Sequence, residues 1–102
     1  MAKITKMFVP DAIQVQKELK IPMVITKKLE DGVEVYHGFV PGLTKEDSIS
    51  IDLSACKKLL REDTDKLIDS YLKNQKEFPF FPTKEEIVED FDNVCQITFI
   101  TL

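Results

Sequence analysis

The sequence predicts an α+β domain: an antiparallel-rich sheet led by a β-hairpin and packed by one long helix, with a short N-terminal helix ahead of it. Three observations predict it. Asp31-Gly32 separates two runs whose apolar residues recur at a period of two. Cys56, Leu59, Leu60, Leu67, Ile68, Tyr71 and Leu72 recur at intervals of three and four, the period of a helix. The closing run VCQITFITL is β-branched and apolar almost to its end.

Each element follows in order. PDAIQVQKELK opens on Pro10 and Asp11 and places Ala12, Val15 and Leu19 at helical spacing, which reads as a short surface helix or as irregular structure. From Pro22 the period changes: Met23, Ile25, Lys27 and Leu29 alternate with Val24, Thr26 and Lys28. Asp31-Gly32 then supplies the two positive-φ positions of a tight hairpin turn. The return strand sets Val33, Val35, His37 and Phe39 on one face, and Glu34, Tyr36, Gly38 and Val40 on the other. Pro41-Gly42 ends it.

Ser48 to Asp52 reads either as a short strand, with Ile49 and Ile51 facing one way, or as the start of a helix capped by Asp47 or Ser48. From Leu53 onward the helix is unambiguous, with Pro79 as its outer limit. Thr83 followed three residues later by Glu86 is a capping box and predicts a short helix over 84–91. The near-continuous apolar character of the last strand predicts a central, two-sided position in the sheet.

Composition bounds the function. At 102 residues, with 43% hydrophobic and 31% charged side chains, the chain reads as one globular domain. It shows no secretory h-region and no apolar run of membrane-spanning length, so the expected location is the cytoplasm. The net charge of -4 is uneven. Residues 1–28 hold six lysines against Asp11 and Glu18, whereas the remainder holds eight basic and sixteen acidic side chains. Such an acidic body repels nucleic-acid backbone and attracts a basic partner.

Little points to catalysis. His37 is the single histidine and lies mid-strand between Val35 and Phe39, a packing environment. Cys56 and Cys95 form no CxxC pair and fall inside apolar segments, where thiols act as small buried hydrophobes. The acidic clusters at 62–65 and 85–90 sit on predicted helices, not converging from strands as a two-metal site requires. Gly32, Gly38 and Gly42 make no phosphate loop. The expectation is a protein without catalytic residues, metal or cofactor. Tyr36 and Phe39 near Lys27 and Lys28 outline a surface for RNA or a partner, with His37 between them.

VEVYHGFVPGL, the acidic linker TKEDS, the helix ACKKLLREDTDKLIDSYLKNQ, the segment FPFFPT and the strand CQITFITL together resemble the HicB-like antitoxin family. Tyr36, Pro41, Gly42, Leu43, Ser48 and Pro82 carry the resemblance. It covers 22–102 and leaves 1–21 as an N-terminal extension of the single domain. The family's glycine-cysteine step after the strand exit is missing, and the DNA binding that many relatives perform is not expected here. The resemblance implies a β-β-β-α-β partial ribonuclease H fold without that enzyme's carboxylates. It also implies a non-enzymatic role, masking a small basic RNA-acting toxin of the HicA type. Direct RNA binding through the N-terminal lysines and the hairpin is the alternative. A homodimer is expected, because an apolar last strand is either inside the sheet or covered along its edge.

Overall fold

A computed structural model describes residues 19–102. The helix expected over 10–20 lies outside the described residues except at its end, where Lys20 already belongs to a strand. Six elements follow: β1 (Lys20–Glu30), β2 (Val33–Phe39), β3 (Ser48–Ser50), α1 (Leu53–Lys73), α2 (Lys84–Asp90) and β4 (Val94–Thr101). The strands form one antiparallel sheet in the order β3-β2-β1-β4.

The hairpin forms as its turn chemistry requires. Asp31 and Gly32 take φ of 52° and 81°, both left-handed, so the right-handed twist of β1 and β2 continues through the turn. At the exit of β2, Leu43 N–H donates to Val40 O at 3.0 Å. Pro41 and Gly42 (φ +84°) fill the two central positions of that turn, and Leu43 is buried after it.

Of the two readings of Ser48 to Asp52, the structure shows the strand. β3 pairs with β2, and the cap of α1 is Asp52, whose Oδ2 accepts from Ala55 N–H at 3.2 Å. The buried stripe of α1 is Cys56, Leu60, Thr64 and Ile68, one residue every four. Leu59 and Leu72, expected in the stripe, are exposed instead, because only a narrow seam of the helix faces the sheet. Thr64 takes a core position by returning its hydroxyl to Leu60 O at 2.6 Å. The helix stops well before Pro79. Gln75 adopts φ 54°, while Gln75 N–H and Lys76 N–H donate back to Leu72 O and Tyr71 O, a Schellman close.

α2 starts on the expected box: Glu86 N–H donates to Thr83 Oγ1 at 3.2 Å, and Thr83 N–H donates to Glu86 Oε1 at 2.8 Å. β4 corrects an expectation. It is an edge strand paired with β1 alone, and Cys95, Thr98, Phe99 and Thr101 are exposed. The two-sided strand is β1, buried without interruption from Ile21 to Thr26. Cys95 likewise departs from the buried-hydrophobe reading, whereas Cys56 fits it; both are free thiols.

α1 packs across β2 and β3, with lighter contact to β1. The core between them joins Ile21, Met23 and Ile25 of β1, Ile100 of β4, Val40 and Leu43 to Cys56, Leu60 and Ile68 of α1. Gly38 permits the approach: a Cβ there would lie 3.0 Å from Leu60 Cδ2 and 3.2 Å from Cys56 Sγ. On the opposite face Phe91, at the end of α2, packs on Phe39 with ring centroids 5.0 Å apart.

Candidate functional site

The period of a strand decides which candidate residues meet. Register pairs Thr26 with His37 and Val24 with Phe39, so these residues and Lys28 share the sheet face opposite α1. Lys27 pairs directly with Tyr36 on the α1 face, where the Lys27 ammonium lies 3.6 Å from Glu34. Lys28, His37 and Phe39 therefore stand together, and Lys27 and Tyr36 lie behind them. Of the residues carrying the resemblance, Pro41, Gly42 and Leu43 build the exit turn. Ser48 is buried with its hydroxyl donating to Asp63 at 3.3 Å, and Pro82 precedes the cap of α2.

The face opposite α1 holds a cleft of about 470 Å³. Thr26 and Lys28 of β1, Phe39 of β2 and Asp47 before β3 form one side. Asp90, Phe91, Asp92 and Asn93, where α2 passes into β4, form the other. Three carboxylates thus surround an aromatic pair, with Lys28 as the one cation on the lining. The turn from α2 into β4 fixes this side. Asn93 adopts φ 61° and its carbonyl accepts from Lys27 N–H at 3.0 Å, which anchors Asp92 beside β1.

His37 lies beside the cleft and is clamped from both ends. Nδ1 is 3.2 Å from Asp47 Oδ2 and Nε2 is 2.8 Å from Glu30 Oε2. Ionised carboxylates only accept, so both contacts are hydrogen bonds when both ring nitrogens carry hydrogens. The clamp ties the hairpin turn to the loop ahead of β3 and fixes the position of Asp47 on the cleft wall. With both nitrogens on carboxylates, the ring is not hydrogen-bonded to a serine or cysteine, the pairing that nucleophilic catalysis uses. The thiol of Cys56 donates instead to Ser48 O at 3.2 Å. Burial above all pushes its pKa up, with Cys95 and Asp47 acting in the same direction.

Among the described residues, no group of three or more His, Cys, Asp or Glu side chains is placed to hold a metal ion. No helix among them is long and apolar enough to cross a membrane. Sequence reasoning missed Asp47, Asp90, Phe91 and Asp92 as neighbours of Phe39. The EDFD run at 89–92 was a local signal of acids around an aromatic, but its partner strand lies fifty residues away in the chain. In comparisons with known protein families, curated proteins and solved structures, nothing matches this chain.

Proposed function

We propose that this chain is a non-enzymatic, antitoxin-like binding protein, a cytoplasmic homodimer that masks a small basic RNA-acting toxin. The observation that carries the reading is the cleft, where Asp47, Asp90 and Asp92 ring the Phe39–Phe91 pair. An arginine or lysine entering it meets carboxylates on two sides and two phenylalanines on the lining, a setting suited to charge pairing and to cation–π contact. The acidic body around it speeds encounter with a cationic surface.

RNA binding by the hairpin has weaker support. Lys28 and Phe39 are present on this face, but the three aspartates beside them repel phosphate. The other lysine, Lys27, faces the α1 side.

A neighbouring reading frame for a short basic protein favours the reading and its absence counts against it; binding to that protein, followed by surface plasmon resonance, tests the cleft. Asp90→Asn/Asp92→Asn should slow association and weaken affinity about tenfold or more, in line with loss of close charge pairs. An unchanged affinity would remove the cleft from the interface. For the alternative, single-stranded RNA is titrated at low salt against the full chain and against a chain lacking residues 1–18, which carry Lys3, Lys6 and Lys17. Tight RNA binding that collapses on this deletion would favour the lysine-rich segment and overturn the toxin-masking reading.

A further inference from the structure

The sheet has two edges, and they are built differently. β3 is three residues long, a length too short to recruit another strand. β4 is eight residues long and contains no charged side chain and no proline. Lysines, prolines and short length are how edge strands are ordinarily kept from pairing. β4 has none of these and carries only a bulge. The register with β1 passes from Ile25–Gln96 to Thr26–Val94, which leaves Cys95 as an extra, bulged residue at the start of the strand.

Beyond that bulge the edge is regular, and its open groups are identifiable. Leu102 N–H donates to Leu19 O at 3.0 Å. Hydrogen-bonded pairs recur every second residue in an antiparallel ladder, so the backbone groups of Ile100 and Thr98 also point at β1. Those of Ile97, Phe99 and Thr101 point away from it. Among the described residues, no strand pairs with them.

We infer that this edge pairs with the same edge of a second copy, joining two sheets into one of eight antiparallel strands. The inference rests on the homodimer reading above and locates its interface. Antiparallel pairing of identical strands creates a two-fold axis, the commonest symmetry of soluble dimers. With Thr98 on the axis, each Ile97 exchanges hydrogen bonds with Phe99 of the second copy. These are β-branched–aromatic cross-strand pairs, among the favourable kinds. Identical strands place like residues near one another, which a charged edge would resist and this uncharged one does not. Exposed apolar surface at Phe99 and Leu102 lies at the seam.

Among the described residues, the basic rim of α1 is the one feature that works against the pairing. Lys57, Lys58 and Arg61 overlook β4 across a cleft floored by Met23 and Ile25. α1 lies mainly over β2 and β3. Because Thr98 and Gln96 line the same cleft, these basic side chains lie near the joint in the joined sheet, and salt screens the repulsion between the two copies.

Sedimentation velocity of the full chain at tens of micromolar tests the inference together with two substitutions. Ile97→Pro removes an N–H that the chain's own sheet does not use, a position where an edge strand tolerates proline. It should remain folded by circular dichroism and sediment as a monomer. Thr98→Cys, made in a Cys95→Ser background, should form an intermolecular disulfide on mild oxidation. Facing non-hydrogen-bonded residues have Cα atoms about 4.5 Å apart, within disulfide range. A dimeric wild type with a monomeric, folded Ile97→Pro and a cross-linked Thr98→Cys supports the interface. A dimer that persists in Ile97→Pro, with no cross-link, overturns this interface while leaving the homodimer standing. A monomeric wild type overturns both.

Discussion

Gly38 of β2 and Leu60 of α1 are in such close contact that a Cβ on the glycine would lie 3.0 Å from Leu60 Cδ2 and 3.3 Å from Leu60 Cβ. Both the end and the root of the leucine are engaged, and Cys56 Sγ closes the third side at 3.2 Å. Gly38→Ala therefore asks α1 to move outward or Leu60 to leave its rotamer. Overpacking of this kind costs about 1–3 kcal/mol. Urea unfolding should show a lower midpoint at an unchanged slope, and Gly38→Ala/Leu60→Val should recover part of the loss. A variant as stable as wild type would mean that the helix seam is looser than it stands here.

His37→Gln tests the clamp. Glutamine keeps one donor group, so either Asp47 or Glu30 loses its partner. Both carboxylates are about half exposed, and solvent limits the penalty to roughly 1 kcal/mol. The thermal midpoint should fall by a few degrees, and binding of a basic partner should change by only a few-fold. Loss of a measured hydrolytic activity with the midpoint unmoved would make His37 a catalytic residue and overturn the binding-protein reading.

Gln75 closes α1 at φ 54°, a conformation that a non-glycine residue occupies at a cost. Gln75→Gly relieves that cost at the position where helices most often carry glycine. The gain should be about 0.5–1 kcal/mol, less what the unfolded chain gains in freedom. A rise of a few degrees in the thermal midpoint checks it.

The two thiols should behave oppositely. Exposed Cys95 should react with iodoacetamide in the native protein, and buried Cys56 only after unfolding; mass spectrometry of digested samples reports both. The raised pKa of Cys56 also makes a stability statement. In the folded state the thiol keeps its proton above its ordinary value of 9.0, whereas the unfolded chain ionises there. Its contribution is fully present below that pH and is lost as pH rises through the folded pKa. Comparing unfolding free energies of wild type and Cys56→Ala from pH 8 to 10.5 should show the wild-type advantage shrinking. An advantage that grows with pH would show the thiolate, not the thiol, to be favoured in the fold.

The parts of this protein governed by neighbours in the chain were legible in its sequence. Asp31-Gly32 needs only its own φ angles to turn a hairpin, Thr83 and Glu86 reach one another within a single turn, and the alternation of β1 and β2 assigns their faces. Tertiary structure decided what depends on partners far along the chain. The apolar run of β4 is equally compatible with a central strand and with an edge strand packed by one face on a core. Pairing with β1 alone made it the edge, and made β1 the strand buried on both sides. Asp52 rather than Asp47 caps α1 because Ser48 to Ser50 are taken up in pairing with β2. The cleft was illegible for the same reason: Phe39 and Phe91 meet only once the sheet has set α2 against the face that the long helix leaves free. Local sequence sets turns, caps and faces through short-range sterics and hydrogen bonds. Strand order, and therefore the neighbours of every site residue, is set by which long-range pairing buries the most apolar surface.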